Sequence, residues 1–196
     1  MKQFFCALFA VAVLQANVLA GDGGQASSGG YFGPAAVMKQ GAFLIGAEGQ
    51  YYMKDDKAFG VLGHVRYGLA PRFELNGDLG FNRGEPYFGG SVEYQVFYDG
   101  PGAVGLTVRG GGFSNSDAGS GLDFSGMIGN RFSTFSLYGG LNMKVLLDPS
   151  NADNVYTLVG GIHIPFKAKV AFVGEVGANI NDQNASYFSG GVLFYF

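Results

Sequence analysis

Apolar and polar side chains alternate along this chain in ten short segments that begin near Gln40 and run to the last residue, Phe196. The third segment is the cleanest. Phe73, Leu75, Gly77, Leu79 and Phe81 fall on one face, and Glu74, Asn76, Asp78 and Asn82 on the other. The fourth sets Phe88, Val92, Tyr94, Val96 and Tyr98 against Ser91, Glu93 and Gln95. The seventh sets Phe135, Leu137, Leu141, Met143, Val145 and Leu147 against Ser136, Tyr138, Asn142 and Lys144. A period of two puts successive side chains on opposite faces of a strand. The pattern predicts strands at 40–53, 59–69, 73–82, 88–98, 103–113, 121–132, 135–147, 155–165, 169–180 and 186–196. Eight strands is the alternative, if two of these segments are something else.

Segment lengths are near the roughly 9–11 residues that a tilted strand needs to cross hydrocarbon. A soluble core does not need ten strands that are each apolar on one face and polar on the other. Lipid does, because it replaces the core on the outside and the polar face turns inward. The fold predicted is all-β: a closed, antiparallel, up-and-down transmembrane β-barrel of about ten strands over 40–196. The connections after odd-numbered segments are polar, as in Lys54–Lys57, Arg83–Pro86, Ser114–Ser120, Asp148–Asn154 and Asn181–Ala185. Those after even-numbered ones tend to be tighter, as in Ala70–Arg72, Asp99–Gly102, Ser133–Thr134 and Phe166–Ala168. An even strand count brings both chain ends to the short-turn side, which in such barrels faces the periplasm.

Residues 1–20 read as a cleaved signal peptide, with Lys2, an apolar run from Phe4 to Leu14, and Val18-Leu19-Ala20 before Gly21. That apolar run is shorter than the roughly 20 residues of a spanning helix. The only cysteine, Cys6, lies within it, so the mature chain has no disulfide, thiolate nucleophile or cysteine metal site. Residues 21–39, opening Gly-Asp-Gly-Gly-Gln-Ala-Ser-Ser-Gly-Gly, have no period and are expected to be a flexible leader. The 35 glycines follow no collagen repeat and fall among aromatic and branched residues, which assigns them to kinks and close approaches within sheets. A net charge of −3 with no basic stripe sets nucleic acid aside as a partner.

The inward face collects Glu48, His64, Arg66, Glu74, Asp78, Glu93, Arg109, Asp123, Arg131, Lys144, His163 and Glu175. Acids and bases are nearly balanced, as a narrow lumen requires, since isolated buried charges are costly. Hairpin parity sets Arg66 opposite Asn76 or Glu74, His64 opposite Asp78 or Asn76, Asp123 opposite Lys144, and Glu93 opposite Arg109. The expectation is a polar network that fills the lumen and leaves at most a thin water path. No cofactor is implied. His64 and His163 lack metal-ligand spacing, and Gly110-Gly111-Gly112 lacks the Lys-Ser/Thr of a phosphate loop. His64 with Asp78 is the best catalytic pair, but the expectation is that the protein is not an enzyme. Aromatics near segment ends, among them Tyr51, Tyr52, Phe59, Tyr67, Phe73, Tyr87, Tyr98, Phe113 and Phe166, are expected to form two interfacial girdles.

The last segment ends on Phe196, with Phe194, Val192 and Phe188 on the same face. With this terminal strand and the phrase Tyr67-Gly-Leu-Ala-Pro-Arg-Phe-Glu-Leu75, the region 40–196 resembles the small bacterial outer-membrane barrels that include OmpA-like transmembrane domains. The resemblance implies an outer-membrane location in a Gram-negative envelope, and contact with lipid and lipopolysaccharide. It also implies a terminal strand, Phe188, Val192, Phe194 and Phe196, read by the outer-membrane assembly machinery. The chain departs from that family in having no Trp and no peptidoglycan-binding domain. The expected role is structural, or at most a narrow passage for ions and small solutes. A porin-like small-solute channel is the alternative, and a barrel hydrolase using His64 and Asp78 a third.

Overall fold

The computed structural model describes residues 31–53, 58–97, 104–116, 119–147, 154–181 and 186–196. The signal peptide and the first half of the leader lie outside the described residues, as do Tyr98 and the centres of several connections. Ten strands follow in order: β1 (Phe43–Tyr52), β2 (Phe59–Ala70), β3 (Phe73–Asn82), β4 (Glu85–Phe97), β5 (Val104–Asn115), β6 (Gly119–Arg131), β7 (Ser136–Leu146), β8 (Val155–Lys167), β9 (Val170–Asn179) and β10 (Tyr187–Tyr195). Each pairs antiparallel with its neighbour in sequence, and β1 pairs with β10 to close the barrel. The count is ten rather than eight because each predicted segment is a strand in the ring.

Pleat parity runs unbroken through most strands, so the two faces separate cleanly. Leu75, Leu79, Val92, Val108, Leu141, Leu158 and Phe172 lie exposed on the outside, whereas Glu48, Glu74, Glu93, Lys144 and Glu175 are at most 1% exposed. Most of the charged side chains on the strands are inside, and the outer face is apolar. Register shifts occur at Gly68/Ala70, Gln95/Phe97 and Pro165/Lys167, all at the end of the ring where the chain enters and leaves it. The extra residue at each shift adds local twist, which helps a sheet curl shut.

Two expectations about connections and girdles need correction. Arg83 to Pro86 is not a loop. Arg83 and Gly84 (φ 54° and 88°) form a two-residue turn, and Glu85 and Pro86 belong to β4. Paired positive φ angles are what a tight hairpin needs, and glycine takes the second position without steric cost. Tyr52, Tyr87 and Phe113 are not girdle residues either. They are 0%, 2% and 6% exposed and point inward. Their places near strand ends suggested an interface. Their parity, shared with Gln50, Glu93 and Arg109 respectively, decides otherwise.

The leader expected over 21–39 is not a free tail from Tyr31 onward. Gly41, at φ 78°, turns the chain over the rim, with its N–H on the Gly68 carbonyl at 2.8 Å. Residues 38 back to 31 descend inside the barrel. Tyr31, Phe32 and Ala35 pack there with Leu44, Met127, Tyr138 and Leu193.

Candidate functional site: the filled lumen

At the entry end, Glu74 of β3 accepts the Met38 N–H at 2.7 Å and faces Arg66 of β2 at 3.5 Å. The Arg66 Nη2 donates to the carbonyls of Tyr31 and Phe32 at 2.9 and 2.6 Å. One guanidinium thereby caps two backbone acceptors that have no strand partner. Across the lumen, Glu175 of β9 takes the matching donors. Its Oε1 accepts Tyr31 N–H at 3.0 Å and Tyr187 Oη–H at 2.6 Å. Its Oε2 accepts Phe32 N–H at 2.8 Å and Tyr138 Oη–H at 2.7 Å. A buried carboxylate is tolerated when its lone pairs are filled in this way.

Tyr31 itself reaches the middle of the barrel. Its hydroxyl donates to Glu93 and contacts Thr107 Oγ1 at 2.9 Å, and the Arg109 guanidinium lies 5.0 Å from its ring centre. Beside it, Phe32 stacks on the imidazole of His64 with centroids 4.8 Å apart. That imidazole is held on both nitrogens, Nδ1 at 2.7 Å from Asp78 and Nε2 at 2.8 Å from Glu48. Glu48 also accepts from Gln50, which accepts from the Tyr52 hydroxyl. On the opposite wall, Asp123 accepts from Asn142 at 2.6 Å and faces Arg109 at 3.5 Å and Lys144 at 3.9 Å. Toward the loop end, Lys144 donates to the Tyr87 hydroxyl at 2.9 Å and lies over the Tyr87 and Phe113 rings. An apolar layer of Leu62, Tyr87, Phe113, Leu146 and Val155 fills the lumen beyond.

The structure therefore brings most of the sequence-derived lumen set into one connected interior. His64 pairs with Asp78, Asp123 with Lys144, and Glu93 with Arg109 in strand register; Arg66 sits opposite Asn76. Side-chain partners are a separate matter. Glu93 spends its contact on Tyr31, and the ion pair of Arg109 is to Asp123 on the next strand. His163 is inside but apart from the network, with Nε2 on the Tyr195 hydroxyl at 2.8 Å. Arg131 is exposed at the entry mouth rather than buried in the lumen, because it is the last residue of β6. Phe188 and Phe196 lie exposed on the outer face, and Val192 and Phe194 are half-buried there.

Sequence reasoning missed Tyr31 and Phe32, which occupy the centre, and the ring-on-glycine seats that aim the tyrosines. Tyr138 lies against Gly161 and Tyr187 against Gly177, each directly across the strand pair. A Cβ at either glycine would fall 2.2 or 2.1 Å from a ring carbon. Those seats tilt both hydroxyls onto Glu175. The signal available for the plug was the aromatic-apolar run Tyr31-Phe32-Gly-Pro-Ala-Ala-Val-Met38, which ends the Gly/Ser stretch. No group of His, Asp and Glu among the described residues is placed to hold a metal ion.

An inside-out polarity on a closed antiparallel ring defines a transmembrane-type β-barrel, here with a filled lumen. No family model matches this chain, and no curated protein matches it. Among solved structures it is similar to a de novo designed transmembrane β-barrel, at 17% identity over 82% of this chain and 100% of that one, with a TM-score of 0.43. It is likewise similar to the N-terminal β-barrel domain of Pseudomonas aeruginosa OprF, at 18% identity over 81% of this chain and 100% of that one, with a TM-score of 0.41. Both likenesses are faint. The class rests on the barrel's own faces.

Proposed function

We propose that this chain is an integral outer-membrane barrel, exported with loss of residues 1–20, whose role is structural and whose lumen passes at most small ions. The observation that carries the reading is the lock on Tyr31 and Phe32. Arg66 and Glu175 satisfy the carbonyls and N–H groups of both residues, and both rings are buried inside the ring of strands. Lipid and lipopolysaccharide meet the outer face, and the assembly machinery reads Phe188, Val192, Phe194 and Phe196. The surroundings of His64 weigh against the third reading, a hydrolase built on His64 and Asp78. His64 is 2% exposed, engaged on both nitrogens and covered on one ring face by Phe32.

Planar-bilayer recording of the mature chain tests this. Rare, small openings are expected. Deletion of residues 21–39, leaving β1 intact, is expected to give steady and larger openings. Steady large openings from the unaltered mature chain would refute the filled-lumen reading in favour of a small-solute channel.

A further inference from the structure

The entry mouth is not packed shut. A cavity of about 550 Å³ lies between the inner wall and the plug backbone at Pro34–Lys39. That volume is within the roughly 300–1,000 Å³ of small-molecule sites. Its wall is largely aliphatic, from Ala35, Val37, Leu44, Val170 and Ala171. Its charged residues are of one sign. Lys39, Arg131 and Lys167 line it, with Arg66, already paired with Glu74, at its inner edge, and no carboxylate lines it among the described residues. This differs from the deeper lumen, where each cation has an acid close by.

One strip of the wall is also incompletely bonded. Arg131 on β6, Ser136 on β7 and His163 on β8 are direct cross-strand neighbours, on one level of the inner face. With strands about 4.8 Å apart, the three side chains span about 10 Å. His163 is 8% exposed, and its Nδ1 has no hydrogen-bond partner within the protein. In the tautomer in which the Tyr195 hydroxyl donates to Nε2, the imidazole proton lies on Nδ1 and is free to bond a ligand. A guanidinium, a hydroxyl and an imidazole N–H in a row suit a carboxylate, and the aliphatic wall beside them suits a hydrocarbon chain.

We propose that the mouth cavity binds a free single-chain amphiphile with a carboxylate head, the head on the Arg131–Ser136–His163 row and the chain along Ala35, Leu44 and Ala171. A neutral or cationic head would leave the row unpaired and meet the Lys39–Arg131–Lys167 rim without a counter-charge. The site does not depend on whether the lumen conducts.

The probe is dodecanoate, labelled and equilibrated with the full mature chain in phosphatidylcholine nanodiscs, with empty nanodiscs giving the lipid background. Saturable retention of one dodecanoate per barrel above that background is expected, with none for dodecanol or dodecyltrimethylammonium. R131Q and H163F are each expected to weaken retention by about tenfold, the worth of one charge-assisted hydrogen bond. Heat-modified gel migration reports that each variant is still a barrel. Should H163F fail that check, R131Q, at an exposed position, decides alone. Retention no greater than in empty discs, equal retention of dodecanol, or R131Q indistinguishable from the unaltered chain overturns the proposal.

Discussion

Leu141 lies at the middle of the eleven-residue strand β7 and points outward, between Gly126 on β6 and Leu158 on β8. It is 45% exposed, on the face opposite the buried charged side chains. If hydrocarbon covers that face, Leu141→Arg places a guanidinium near the bilayer midplane, at a cost of about 2–4 kcal/mol. Leu147 shares the outward parity six residues further on. Six strand residues rise about 20 Å, or about 15 Å in depth at a tilt near 40°. That carries position 147 past the half-height of an apolar band about 25 Å tall, where the same substitution costs about 0–1 kcal/mol. The assay is equilibrium unfolding of the refolded barrel in lipid vesicles by guanidinium chloride, followed by gel migration of unheated samples. The difference between the two variants is expected to be about 1–4 kcal/mol. Equal costs at 141 and 147, or a cost at 141 within about 0.5 kcal/mol of zero, would refute the assignment of the outer face to lipid, since exposed sites in water are nearly neutral.

Three further outcomes follow from the interior and the terminus. Gly161→Val would drive a side chain into the Tyr138 ring and is expected to cost about 1–3 kcal/mol by overpacking, whereas Gly126→Ala, with open space around it, is expected to be near neutral in the same unfolding assay. Glu175→Gln turns one carboxylate oxygen into an NH2 that faces two donors; a loss of about 2 kcal/mol or more is expected, together with faster proteolysis near Tyr31 as the plug loosens. Deletion of Phe196 is expected to lower the amount reaching the outer membrane while leaving folding into detergent intact, measured by fractionation and by gel migration; unchanged membrane levels would count against the terminal strand as an assembly signal.

Alternation is a local property, and it was legible. Strand limits read from the sequence fall within a few residues of those in the ring, and the facing of Glu93 on Arg109 and Asp123 on Lys144 came from turn length and parity alone. Those features depend on neighbours along the chain or one strand away, and a one-residue slip would turn every side chain to the wrong face. Tyr52 and Tyr87 show what happens when position is weighed above parity: both sit at strand ends, and both point inward.

The contents of the lumen were a different matter. Tyr31 and Phe32 follow a Gly/Ser stretch with no period, and the apolar run they open says that the segment is buried without saying where. Their place is decided by groups on β2 and β9, Arg66 and Glu175, which can hold them only once the ring has closed. The same closure lets Tyr31 take Glu93 from its cross-strand neighbour and sends Arg109 to Asp123. The sequence by itself determined the strands and most of their faces, and narrowed their register to one or two choices per hairpin, because the pleat is set residue by residue. Only the tertiary structure decided which donors and acceptors meet across the axis, because that choice depends on a confined space no single hairpin contains.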